Sequence, residues 1–203
     1  MRMNIMAKPS ELKQDIHPCE GATQKIIDVD TGQVKTAVEK GILRSLGIGS
    51  CVVVAAYDYR KKIGALAHIM LPGIAPQKSL EKTKYAFDGI EHLLNQMFET
   101  EASTDEIVIC LVGAGNVLQK SDDTICAANI ESVTGILKEK NVSVIASVLG
   151  GTKRKSAFLD IENGCIFYTE GDDPVKLLWR PSHAVQSNVE YYEYAGEKNA
   201  IGL

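Results

Sequence analysis

The sequence predicts an α/β fold of the mixed α+β kind, a single-domain layered sandwich of mixed β-sheet with helices packed on it. Three observations predict it. Apolar runs of strand length recur, as in CVVVAAYD, EIVICLVG and VSVIASVL. Two intervening segments switch to a helical period. The succession includes hairpins, which a doubly wound sheet would not. A chain of 203 residues, 45% hydrophobic and 24% charged, is long enough for a core of its own.

Residues 1–25 are polar, contain Pro9 and Pro18 and hold no period, so they read as an N-terminal extension. The main domain is expected over 26–172. Asp30-Thr31-Gly32 gives a turn, followed by a strand from Gln33 to Val38. CVVVAAYD and IGALAHIM read as strands joined by the polar YRKK, a hairpin able to bring Cys51 and His68 to one end. Beyond Pro72, Gly73 and Pro76, the residues Tyr85, Ile90, Leu93, Leu94 and Met97 recur at helical spacing and predict a helix over 84–98. EIVICLVGAG reads as a strand entering a glycine turn. AANIESVTGILKEK gives a second helix, with Ile130, Val133 and Leu137 on one stripe. VSVIASVLGG is a further strand and turn, and AFLDIENGCIFYTE a hairpin turning at Asn163-Gly164. After Asp172 the periodicity fades, leaving 173–203 as a C-terminal tail or docking segment.

Composition narrows the partners. With 26 acidic and 22 basic residues the net charge is −4. The basic groups are scattered, Lys153-Arg154-Lys155 being the densest cluster, which argues against nucleic acid. No apolar run approaches the roughly 20 residues that span a bilayer, so no direct membrane insertion is expected. The opening MRMNIMAKPSELKQD is too polar for a secretion signal. Five cysteines, at 19, 51, 110, 126 and 165, form no dense framework and read as reduced thiols of a cytoplasmic protein. No Cys-x-x-Cys pair suggests zinc, and His17-Pro18-Cys19 reads as an arm with a free thiol. His92 reads as a helix-surface residue; Cys110, Cys126 and Cys165 read as packing residues. LVGAG lacks the Gly-Lys-Ser/Thr ending of a phosphate loop.

LGIGSCVVVAAYD sets a cysteine between a glycine-rich bend and an apolar strand. A nucleophilic thiol needs a base and donors for a developing oxyanion. Gly47 and Gly49 allow a turn whose N–H groups, with those of Ser50 and Cys51, can face a substrate oxygen. His68 is the nearest base in sequence, and Ser45 can orient it. Asn116 can grip a substrate or cap its own turn, and Gly150-Gly151 can border a cleft or simply bend the chain. The residues alone leave two readings open: a catalytic pair, or a buried small residue beside a core histidine.

The motif LRSLGIGSCVVVAAYD followed by KIGALAHIMLP resembles the CheD family, chemoreceptor glutamine deamidases of prokaryotic chemotaxis. The resemblance continues through KYAFDGIEHLL, VGAGNVL, Asn129 and LGGTKR, covering about residues 35 to 165. It implies that 26–172 is a CheD-like catalytic domain, with Cys51 on the nucleophilic cysteine and His68 on the catalytic histidine. Ser45 stands where the family usually has threonine. The usual Ile-Gly-x-x-Asn becomes Ile125-Cys126-Ala127-Ala128-Asn129, Val148 replaces a common aspartate, and the later Gly-Arg becomes Arg154-Lys155; these departures mark a divergent member. The implied activity is cysteine-dependent deamidation of receptor glutamines, releasing ammonia through a thioester. Catalysis falls to Cys51, His68 and Ser45, oxyanion or substrate binding to Gly49, Ser50 and Asn116, with no cofactor or metal. Expected partners are the cytoplasmic domains of chemoreceptors and a CheC-type phosphatase. The alternatives are a regulatory module that binds such a phosphatase or receptor with little or no catalysis, and some other cysteine hydrolase, such as a transglutaminase-like or small-amide enzyme.

Overall fold

A computed structural model describes residues 24–182. The expected arm, with His17 and Cys19, therefore lies almost wholly outside the described residues, as does the tail from residue 183 onward. Ten strands form two five-stranded sheets, and two helices cover one face of the second. The first sheet has the order β1 (Ile26–Asp28), β3 (Ile42–Ile48), β8 (Lys155–Asp160), β9 (Ile166–Glu170) and β10 (Lys176–Trp179). The second runs β2 (Val34–Val38), β5 (Ile63–Ile69), β4 (Val52–Asp58), β6 (Ile107–Gly113) and β7 (Val144–Leu149). Helices α1 (Ala86–Glu99) and α2 (Thr124–Glu139) lie on its outer face.

The layering explains why CVVVAAYD is continuously apolar. β4 is central and buried on both faces, so alternate side chains enter different cores. Val52, Val54 and Ala56 face the helices with Ile90, Leu93 and Met97. Val53, Ala55 and Tyr57 face the first sheet with Leu43, Leu159 and Ile166. The tip of the β4–β5 hairpin is closed by buried Asp58, whose Oδ1 accepts from the Arg60 and Lys61 N–H groups at 3.0 and 3.1 Å. The β8–β9 hairpin turns at Asn163-Gly164 as expected, with Asp160 capping its turn.

Three strands were not anticipated. β1 and β10 are short edge strands whose few residues carry no period. β10 also carries the domain past residue 172, into the segment read as tail. β3 runs through the stretch read as a glycine bend. Its register against β8 slips between Ser45 and Ile48, and Gly47 takes φ +65° there. This bulge lets the strand end and turn toward Cys51 while Ser45 stays pointed between the sheets. α2 begins three residues earlier than expected, where the Asp123 carboxylate accepts from the Cys126 N–H at 3.4 Å.

Candidate active site

The antiparallel register sets Val53 opposite His68 on the face between the sheets. Cys51 lies two residues before Val53 and packs against the same inter-sheet cluster. Strand alternation therefore gives Cys51 and His68 one face and one end of the second sheet, on a diagonal that long side chains span. Cys51 is half-buried, whereas Cys110, Cys126 and Cys165 are buried. Burial raises the thiols of Cys110 and Cys126 to about 12, consistent with packing residues.

His68 is 4% exposed and Ser45 1%. Ser45 Oγ donates to the Val29 carbonyl at 2.9 Å and lies 2.8 Å from His68 Nδ1. The Val29 carbonyl is also 3.4 Å from Nδ1. A carbonyl only accepts, and the serine proton is already directed to it, so the ring proton belongs on Nδ1. Nε2 then keeps its lone pair. Thr31 Oγ1 stands 3.5 Å from Nε2. The first sheet thus holds the ring from behind while the second carries it.

Val29 is placed by its own pairing. Its N–H donates to the Arg44 carbonyl at 2.7 Å, and the Arg44 guanidinium grips Asp28 through Nε and Nη2 at 2.7 and 3.1 Å. The Asp30–Gly32 turn returns to the histidine backbone, Gly32 N–H donating to the His68 carbonyl at 2.8 Å. Burial pushes the His68 imidazolium below an ordinary imidazole, against weaker support from the Val29 carbonyl and Asp30. Burial likewise raises the Cys51 thiol, partly offset by its own N–H. Both directions favour the uncharged forms, thiol and neutral imidazole.

The wall beyond Cys51 is built from glycine loops. The Ala114 N–H donates to the Cys51 carbonyl at 2.6 Å and the Gly115 N–H to the Gly49 carbonyl at 2.8 Å. Gly113 has φ +137°, and a Cβ there would lie 2.2 Å from the Cys51 carbonyl oxygen. Gly113→Ala is expected to destabilise the fold by about 1–3 kcal/mol and to displace Cys51, read as a lower melting temperature with slower Cys51 alkylation. Gly49 is not demanded by sterics, since a Cβ would meet Val117 at an ordinary 3.8 Å.

Asn116 is placed on this wall, but its carboxamide closes its own loop. Nδ2 donates to the Lys120 carbonyl at 2.7 Å, and Oδ1 accepts from the Lys120 N–H at 3.0 Å. The Gly150-Gly151 turn borders the same wall, accepting from the Asn116 N–H and donating to the Gly113 carbonyl. The basic cluster divides: Lys153 pairs with Asp173 at the surface, whereas Lys155 is 1% exposed and donates to the Gly150 carbonyl at 2.5 Å. His92 is exposed, its Nε2 3.2 Å from Gln96 Nε2.

Two further groups hold the surroundings of Cys51 and His68, and the sequence assigns a role to neither. The Val29 carbonyl is a backbone atom and leaves no signature. Asn129, fully buried on α2, donates through Nδ2 to the Ser50 carbonyl at 2.9 Å and the Met70 carbonyl at 3.0 Å. In the sequence Asn129 stands as the last residue of the motif Ile125-Cys126-Ala127-Ala128-Asn129, which carries no role for it.

A family model described as CheD chemotactic sensory transduction matches residues 70–170, starting just beyond His68. The chain is 36% identical over 150 residues to the probable chemoreceptor glutamine deamidase CheD of Chlorobium luteolum, covering 73% of this chain and 75% of that one. Identity to the probable chemoreceptor glutamine deamidase CheD of Haloarcula marismortui is 31% over 147 residues, 71% of this chain and 85% of the relative. For the chemoreceptor glutamine deamidase CheD of Thermotoga maritima it is 29% over 141 residues, 70% and 88%.

Proposed function

This chain belongs to the CheD family, and from that premise we propose that it deamidates chemoreceptor glutamines, with Cys51 as nucleophile and His68 as general acid and base. The observation that carries the reading is the Ser45–His68 contact across the two sheets, 2.8 Å at Nδ1, which leaves Nε2 as proton acceptor on the face shared with Cys51. Nε2 takes the thiol proton as sulfur attacks the glutamine carboxamide carbon. The tetrahedral adduct collapses, the C–N bond breaks, and the imidazolium gives its proton to the leaving nitrogen. Ammonia departs from a thioester. Water then adds with Nε2 as base, and collapse returns the thiol and leaves glutamate.

The N–H groups of Gly49, Ser50 and Cys51 are the oxyanion donors in this reading; one such donor typically contributes roughly 3 kcal/mol. Asn116 then serves the wall of the site, its side chain being committed to Lys120. Among the described residues no helix is long and apolar enough to cross a membrane. The reading places the enzyme in the cytoplasm, where receptor signalling domains are exposed, with a CheC-type phosphatase as a further partner. The test is ammonia release from a receptor cytoplasmic fragment, with the deamidation mass gain located on glutamine. A receptor fragment that binds and keeps every glutamine would favour the regulatory-module alternative.

Ser45 makes a graded prediction. Ser45→Ala removes the nearer acceptor of the Nδ1 proton, a buried hydrogen bond of about 1.4 kcal/mol, so kcat is expected to fall about tenfold. Ser45→Thr keeps the oxygen and restricts its rotamer, and is expected to retain activity. Equal losses in both variants would remove Ser45 from the mechanism.

A further inference from the structure

The second sheet loses its ladder where the chemistry begins. Val52 pairs Ile69 in the last regular rung between β4 and β5, and the chain beyond carries Cys51 on one side and Met70 on the other. The Ser50 and Met70 carbonyls at this frayed end both receive the two hydrogens of Asn129 Nδ2, at 2.9 and 3.0 Å. Neither carbonyl can donate, so the amide orientation is forced: the NH2 end must face them. Asn129 Oδ1 is buried with no hydrogen-bond partner. A buried acceptor without a partner is a destabilising feature. The carboxamide is therefore oriented by the two carbonyls alone, and its oxygen contributes nothing to holding it.

The Ser50 carbonyl is the other half of the peptide unit that carries the Cys51 N–H. A peptide unit is planar, so fixing that carbonyl fixes the direction of the N–H. That N–H works in favour of the Cys51 thiolate, against the larger effect of burial. The Met70 carbonyl is two residues beyond His68 on the neighbouring strand. One side chain thus ties the nucleophile's peptide to the strand of the base, from a helix that touches neither reacting group.

We propose that Asn129 is a positioning residue of the reaction, aiming the Cys51 N–H and holding the ends of β4 and β5 in register through its bonds to the Ser50 and Met70 carbonyls. This rests on the deamidase reading but concerns a residue outside its reacting groups. Displacement of about 1 Å at a reacting centre can cost roughly a hundredfold in rate, whereas substrate binding to the outer surface is untouched.

The experiment compares Asn129→Asp, Asn129→Leu and Asn129→Ser in the full chain, with thermal melts, kcat and KM for ammonia release, and the iodoacetamide rate at Cys51 resolved by peptide mass. Asn129→Asp keeps the shape and turns the donor into an acceptor facing two carbonyls; it is expected to lose roughly tenfold to a hundredfold in kcat with KM nearly unchanged. Asn129→Leu is expected to fall similarly, and Asn129→Ser, which keeps one donor, to recover part of the loss. A folded Asn129→Asp with wild-type kcat would overturn the proposal, as would a loss confined to KM. If Asn129→Leu fails to fold, the Asp and Ser pair decides. A wild type that releases no ammonia would defeat the deamidase reading instead, and the Cys51 alkylation rates would still test the positioning: an unchanged rate in Asn129→Asp overturns it.

Discussion

Cys51→Ala is expected to give a folded protein that still binds a receptor fragment and releases no ammonia from it. The substitution removes one half-buried sulfur at the start of β4, where the backbone is held by the Ala114 N–H on its carbonyl. Nothing else depends on the thiol, so the stability change is expected within about 1 kcal/mol. The chemical loss is expected to be complete, because the proposed thioester forms on the sulfur that the substitution removes. His68 could direct water at the amide, but an unactivated carboxamide resists that attack far longer than an assay lasts. Among the described residues, substitution by another thiol is also closed off. Cys110, Cys126 and Cys165 are buried, and those of Cys110 and Cys126 are held near 12. Ammonia measured alongside the receptor mass decides the matter: release that persists in Cys51→Ala ends the mechanism, while binding that persists without release shows the fold survived. Wild type quenched in acid during turnover should carry the acyl group on the Cys51 peptide.

The parts of this architecture that could be read in advance share a physical cause. α1 and the β4–β5 hairpin declare themselves because burial on one stripe, or on both faces, writes a period into consecutive residues. β3 hides because Arg44 and Ser45 are polar residues buried for specific partners, Asp28 on one side and the Val29 carbonyl and His68 on the other. They interrupt the apolar run that would have announced a strand, and Gly47 adds a bulge that resembles a turn. The hairpin pattern already allows Cys51 and His68 to meet at one end, and the family resemblance is what chooses a catalytic pair over local structure. Their shared face follows from the register of β4 against β5, which spacing alone does not dictate. Lys155 belongs to the densest basic cluster of the sequence, yet β8 turns it inward beneath Gly150 while Lys153 stays out. Asn129 was legible as a motif residue but its role was not, since its partners are two carbonyls from separate stretches of chain.

His68→Gln is expected to reduce kcat by about 10²–10⁴-fold while leaving KM nearly unchanged. Glutamine retains a polar group for Ser45 but cannot accept the thiol proton and return it to the leaving nitrogen. The pH dependence tests the same assignment from the other direction. Burial lowers the imidazolium below 6.5, so the acid limb of kcat/KM in wild type should fall below that value. Burial raises the thiol above 9.0, so the alkaline limb should lie above it. An ion pair with the two values exchanged would give a bell of similar outline, and thiol alkylation separates the two. A neutral resting pair reacts slowly with iodoacetamide until the pH passes 9.0, whereas an ion pair reacts fast even in acid. Stability follows the same proton. The unfolded chain takes it up as pH falls through 6.5, while the folded chain takes it only at lower pH. The contribution of neutral His68 is therefore full above 6.5 and lost below, and His68→Gln should flatten that part of the stability profile. Fast alkylation in acid together with an unflattened profile would mean that His68 rests charged, and the proton would have to begin its path on the imidazole rather than on the thiol.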